Sequence, residues 1–384
     1  MRTEGAAGLS ELVEGLPLVD HHVHGASRDP LDRTALEGML TESSWAAPNG
    51  TSQMDSQVGF AVRRWCAPIL DLDPHADVDA YLSRRRELGA DEVNARLLRA
   101  SGIGHFLVET GYRAEEILDP TEMAKAAAAD ADEVVRLETV AEQMAAEGVS
   151  AEEFADGYGR RLAERTEHAV GVKSVIAYRY GFDFDPDRPT RREVLAAAGH
   201  WLAERERGEA ARLDDPVLLR HLLWTGVDRG LPVQLHTGYG DPDLELHRSD
   251  PLLLTRFLRE VRPLGVPVML LHCYPFHRNA GYLAQTFPNV YMDVGLAVNY
   301  TGARARAVVA ESLELAPFAK VLFSSDAWGP AELHYLGARL WRTATAAVLG
   351  RWVDEGEWSL PDAQRVARMV GVDNARRVYG LDRR

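Results

Sequence analysis

Short apolar runs rich in β-branched residues recur along the chain. They alternate with stretches whose apolar residues repeat at three- and four-residue spacing. The short runs are LPLVDHHVH (16–24), GHFLVETG (104–111), EVVRLETV (133–140), HAVGVKSVIAYR (168–179), LPVQLHTG (231–238), VPVMLLHCYP (266–275), VYMDVGL (290–296) and VLFSSDA (321–327). Each is about strand length, and most are bounded by Gly, Pro, Asp or Asn, which end extended pairing. Between them, DPVLLRHLLWTGVDRG, DPLLLTRFLREVRPLG and AGYLAQTFP carry the helical period. SAEEFADGYGRRLAERTEH adds a start signal, with Ser150 as N-cap and acids in the first turn. The Ala-rich AKAAAADADE (124–133) predicts another helix.

Eight strands alternating with helices predict parallel βα units, hence an α/β protein. Eight units are what a closed (β/α)8 TIM barrel requires, and the pattern favours it over a doubly wound open sheet, which shares the alternation. The rhythm breaks once. Residues 26–90 hold Trp45, an Asn49-Gly50 turn, Trp65 and several helical patches. A connection of that length is usually functional or a small subdomain. It predicts a long helical insertion after strand 1, placed as a lid on the active face. With no linker in view, 1–384 reads as a single barrel domain.

Composition narrows the function classes. At 46% hydrophobic and 26% charged, the chain has the make-up of a globular protein. Its 43 Lys+Arg against 58 Asp+Glu give −15, which argues against nucleic acid as a partner. No apolar run reaches the roughly 18 residues that a membrane span needs. Two cysteines, Cys66 and Cys273, imply no disulfide framework and suit a reducing compartment. The opening MRTEGAAGLSELVEG lacks the basic and apolar regions of a signal peptide, so a cytoplasmic location is expected. The expected partner is a small-molecule substrate, with homo-oligomerisation left open.

Candidate chemistry begins at LVDHHVHG (18–25). In a strand, residues two apart share a face, so Asp20, His22 and His24 point one way and His21 the other. His22 and His24 can chelate one cation, while His21 packs or hydrogen-bonds outside. Further polar residues close later strands: His236 in VQLHTG, His272 in LLHCYP and Asp326 in FSSDAW. In a barrel, strand C-termini converge on one mouth. Imidazoles with a carboxylate suit Zn²⁺ or a related transition metal. Arg179, placed at the end of strand 4, can grip a substrate carboxylate or form a salt bridge. Tyr239 with Asp241, and His277 with Arg278, sit on loops where substrate contacts are expected. Trp328, Glu332 and His334 are placed to frame the pocket. Arg136 is expected to pair with Glu138, and Cys273 to be a small buried hydrophobe. No Walker motif or GxSxG elbow is present.

An HxH after strand 1, His after strands 5 and 6, and Asp after strand 8 resemble the amidohydrolase superfamily. The resemblance is closest to FluG-like TIM-barrel metal-dependent hydrolases (the Amidohydro_2 type), some of which are fused to glutamine-synthetase domains. VDHHVH, VKSVIAYR, QLHTGYGDPDL, HCYPFHRNAGYLAQTFPNVYMDVG, FSSDAWGPAE and VARMVGVDNARRVYGL carry it, over nearly the whole chain outside 26–90. It implies His22, His24, His236 and Asp326 as ligands of one divalent metal, Zn²⁺ foremost, with a second ion as the alternative. It makes His272 a catalytic or outer histidine, or a ligand to that second ion. It also gives Asp326 a second task as general base and acid. The implied activity is hydrolysis of a C–N bond in an amide-type substrate carrying a carboxylate, such as a γ-glutamyl amide. Non-oxidative decarboxylation, found in a sister branch, is the alternative. Two-metal members use a carboxylated lysine after strand 4. Lys173 is the candidate, or else a deep ion-pair partner of Glu138 or Asp20.

Overall fold

The computed structural model describes residues 4–208 and 212–383. Seven strands form one parallel sheet in sequence order: β1 Leu18–Val23, β2 Ile103–Glu109, β3 Asp130–Arg136, β4 Gly171–Ser174, β5 Val233–Thr237, β6 Val268–His272 and β7 Val290–Met292. Every residue of β1, β4, β5 and β6 is buried, as expected where helices cover one face of a parallel sheet and side chains fill the other. The eighth run, 321–327, makes no regular strand yet bonds to both edges of the sheet. Leu322 N donates to Met292 O at 3.0 Å. On the other side His21 N donates to Phe323 O at 3.2 Å, Asp326 N to His22 O at 3.1 Å and His24 N to Ala327 O at 2.9 Å. Its irregularity has a local cause: Asp326 is left-handed at φ 49°. The Ser325 hydroxyl and N–H are both held by the Asp20 carboxylate, at 2.5 and 2.9 Å. Seven strands and this segment curl into an α/β barrel.

Several boundaries depart from expectation. AKAAAADADE is not one helix: the helix Pro120–Ala127 ends at Ala128, left-handed at φ 54°. Asp130 to Glu133 then pair with His105 to Val108 as the start of β3. Helix propensity is a weak preference, and sheet pairing overrides it. LETV belongs instead to the helix Leu137–Ala146. The fourth run is a four-residue strand followed by the short helix Ile176–Arg179, so Lys173 lies one residue from the strand's end. Ser150 does cap its helix, in a reciprocal capping box with Glu153.

The 26–90 segment folds as the helices Arg33–Gly38 and Gln57–Ala61, a wide π turn Val62–Cys66, a tight 3-10 turn Ala67–Leu70, and the first half of the helix Val78–Ala100, kinked at Gly89. Its anchor is Glu332, which is fully buried. Arg85 donates to it at 2.6 and 3.2 Å, and the Tyr81 hydroxyl at 2.7 Å. Glu332 therefore does not frame the pocket; it is consumed by this ion pair behind it. Among the described residues, no helix is long and apolar enough to cross a membrane.

Candidate metal centre

His22, His24 and Asp326 each present a ligand atom, all within 4.8 Å of one another. His22 Nε2 lies 3.1 Å and His24 Nε2 3.8 Å from Asp326 Oδ1. His272 Nε2 lies 3.3 Å from Oδ2. His236 completes the row, its ring 4.8 Å from that of His272, which is 5.3 Å from that of His22. Lys173 Nζ is 3.2 Å from His22 Nε2. Strand ends from β1, β4, β5 and β6 and the eighth segment thus meet at one point. His272 and Asp326 reach it from left-handed backbone at φ 66° and 49°, a conformation that non-glycine residues hold mainly where the surroundings impose it.

Groups behind the imidazoles aim them. His22 Nδ1 meets Gln234 Oε1 at 2.7 Å. His24 Nδ1 lies 3.2 Å from both the backbone oxygen and the carboxylate of Glu109. His236 is bonded to the backbone at Tyr239. Each arrangement leaves Nε2 for the centre, the usual outer support of a metal-binding histidine.

Burial, reinforced by the charge of Lys173, holds His22 and His236 well below the ordinary histidine range. Burial and then His236 and Lys173 do the same for His272. His24 is lowered to about 4, again mainly by burial. All four are neutral near pH 7 and offer lone pairs. Burial also pushes Asp326 up and Lys173 down, each opposed by the other's charge.

The fit to a cation can be judged from unsatisfied atoms. His236 Nε2 and both ring nitrogens of His272 are buried without a hydrogen-bond partner, which is rare for polar atoms in a folded interior. Gly240 passes so close that a Cβ there would stand 1.9 Å from the Tyr178 hydroxyl and 3.1 Å from His236 Nε2. Imidazole nitrogens around a carboxylate fit a divalent transition metal, and Zn²⁺ suits that donor set.

Two ion-pair expectations are corrected. Lys173 pairs with neither Asp20 nor Glu138. Asp20 holds Ser325, while Glu138 lies in the first turn of Leu137–Ala146 and accepts from the Ser174 hydroxyl at 2.6 Å and Val175 N at 3.0 Å. Arg136 pairs with Glu109 at 2.6 Å, because β3 ends at Arg136 and Glu138 has left the strand. Arg179 closes a helix and pairs with Glu142 at 3.0 Å. His277 pairs with Glu311 at 2.7 Å and stacks on Tyr274. Tyr239 packs on Tyr274 and Tyr300, its hydroxyl buried and unpartnered. His334 meets His24 O at 2.9 Å. Trp328 packs on Tyr112, which in turn contacts His24. His21 is enclosed between Asp293 and Tyr379, each at 3.1 Å.

Some residues escaped the sequence reading. Gln234 was legible in principle, since it stands two before His236 and shares its face. Glu42, from the insertion, carried no signal. It hydrogen-bonds Tyr300, and burial pushes its carboxyl up to about 7.

Glu109 yields a pH prediction. Burial opposes its charge, but Arg136, with His24, holds it down to about 2 from 4.5. The pair therefore stabilises the fold above about pH 4.5, by on the order of 3 kcal/mol. That contribution fades as pH falls toward 2. The stability gap between wild type and Arg136→Met, measured by urea unfolding, should be widest near neutrality and narrow below about pH 4.5. A gap independent of pH would contradict this.

Comparison with known proteins places the chain in a family. The amidohydrolase family model (Amidohydro_2) matches residues 104–381. The chain belongs to the amidohydrolase family. It is 34% identical over 224 residues to Protein fluG of Emericella nidulans, a match covering 56% of this chain and 26% of that protein. The chain thus spans about a quarter of that relative's length. A solved Lactobacillus casei structure, described as a "putative metal-dependent hydrolase", is 27% identical, with 98% of each chain covered and a TM-score of 0.84. A uronate isomerase of Bacillus halodurans shares the fold alone, at 14% identity and a TM-score of 0.65 over 98% of this chain and 96% of that one.

Proposed function

We propose that this amidohydrolase hydrolyses the C–N bond of a small amide-type substrate bearing a carboxylate. The observation that carries the reading is the cluster of buried His22 and His24 with half-buried Asp326, with the unpartnered nitrogens of His236 and His272 beside it. His22, His24, His236 and Asp326 would hold one divalent ion. Such an ion, when bound, supplies a Lewis acid and lowers the pKa of water from about 16 to near 7. Asp326 has two distinct oxygens: Oδ1 faces His22 and His24, and Oδ2 faces His272. Oδ2 takes the proton of the attacking water and delivers it to the leaving nitrogen as the C–N bond breaks. His272 steadies that oxygen and the substrate carbonyl side.

Tyr239 is the substrate contact best supported, through its buried, unpartnered hydroxyl. Arg179 and His277 are already engaged by Glu142 and Glu311, which weakens their expected roles. Residues 26–90 act as a cover within the single domain, supported by the contact of Glu42 with Tyr300.

Elemental analysis should find about one metal equivalent per chain, lost in His22→Ala/His24→Ala. Screening amides should show ammonia or amine release; CO₂ release from a carboxylate substrate would instead point to decarboxylation. Absence of metal after anaerobic reconstitution would sink the reading. Two equivalents with a carboxylated Lys173 would overturn the single-metal form.

A further inference from the structure

The hydrogen bonds behind His22 admit one proton arrangement. Gln234 Nε2 lies 2.7 Å from His21 O. A backbone carbonyl only accepts, so this end of the amide is the NH2 and the other end is the oxygen. That oxygen, 2.7 Å from His22 Nδ1, can only accept, so His22 carries its proton on Nδ1.

The orientation is doubly held. Gln234 Nε2 also donates to the Tyr379 hydroxyl at 2.8 Å. With that donor accepted, the single Tyr379 proton goes to His21 Nδ1 at 3.1 Å. His21 Nε2 then holds a proton and donates to Asp293 Oδ2 at 3.1 Å. The other Asp293 oxygen accepts from His272 N, Gly295 N and the Ser324 hydroxyl at 3.0, 2.8 and 2.7 Å. Asp293, His21 and Gln234 are fully buried, and Tyr379 nearly so. From the Asp293 anion to His22, every donor and acceptor has one role.

The alternative tautomer has a strong local attraction. A proton on His22 Nε2 would face Asp326 Oδ1, 3.1 Å away, and form a charge-assisted hydrogen bond across the site. Two groups oppose this: the fixed acceptor at Nδ1, and Lys173 Nζ, 3.2 Å from Nε2, whose N–H groups donate to a bare Nε2. We infer that Gln234, held by His21 O and Tyr379, is a positioning residue that keeps the His22 Nε2 lone pair open toward the centre. This rests on the proposed role of His22 as a ligand, but its first test does not need the metal.

The experiment is ¹⁵N-histidine NMR on metal-free protein, with Zn²⁺ affinity measured by chelator competition. Wild-type His22 should show a protonated Nδ1 and a bare Nε2. In Gln234→Met made on a Lys173→Met background, which removes the acceptor at Nδ1 and the competing donor at Nε2, the proton should move to Nε2. Zn²⁺ binding should then weaken about 10–100-fold, the range for loss of a group supporting a metal ligand. Gln234→Glu should restore Nδ1–H, because a neutral carboxyl accepts from His22 and donates to His21 O. Tyr379→Phe should shift the balance in the same direction as Gln234→Met, but less.

A wild-type His22 protonated on Nε2 overturns the inference, whether or not any variant folds. So does an unchanged tautomer when Gln234→Met is added to Lys173→Met. If the tautomer moves as expected while wild type binds no Zn²⁺, the positioning role stands and the metal reading falls.

Discussion

Asp326→Asn should lower turnover by about 10²–10⁴-fold, the usual worth of a positioned general base. Asparagine is the informative choice for three reasons. It tolerates the left-handed backbone that position 326 adopts, so the segment joining β7 to β1 should keep its path. Its amide oxygen can still face His22 and His24, so much of the ion-holding capacity should survive. It cannot accept a proton at the position of Oδ2, which faces His272. The loss should therefore fall on kcat far more than on KM or metal content, measured on the substrate that the release screen identifies. An unchanged kcat would remove Asp326 from the chemistry and leave it a ligand at most.

The second large effect is on stability. Glu332→Ala strands the guanidinium of Arg85, which is 7% exposed and donates two hydrogen bonds to that carboxylate. Removing one partner of a buried pair typically costs about 3–5 kcal/mol, because the remaining charge has neither water nor counter-ion. Tyr81 loses its acceptor at the same time. Glu332→Gln keeps volume and an acceptor oxygen and should cost less than Glu332→Ala. Urea unfolding of both variants tests the assignment; a loss below about 1 kcal/mol in Glu332→Ala would contradict it.

These two residues show how legibility differed along one stretch. Asp326 ends an apolar run, and its position in the strand–helix rhythm already marked it. Glu332, six residues on, carried the same local signal of a polar side chain near the mouth. Its real partner, Arg85, is 247 positions away, and nothing in the sequence near either residue announces the pair. Lys173 is an intermediate case. Its presence on β4 was legible, but its neighbour was not, because the register of β3 and the early end of β4 decide what lies beside it. Arg136 changed partner for the same reason: one strand boundary moved Glu138 onto a helix and left Glu109 across the sheet.

The sequence by itself determined the α/β alternation and the ends of the apolar runs that carry His22, His24, His236, His272 and Asp326. These follow from periodicity and from which residues break a strand, both properties of near neighbours. Only the tertiary structure decided which nitrogen of each imidazole faces the centre, that Gln234 and Tyr379 stand behind His22, and that Glu332 anchors the insertion. Those depend on groups tens to hundreds of residues apart being brought within about 3 Å. At that range, hydrogen bonding in a dry interior leaves a buried group one acceptable partner where the chain alone offered many.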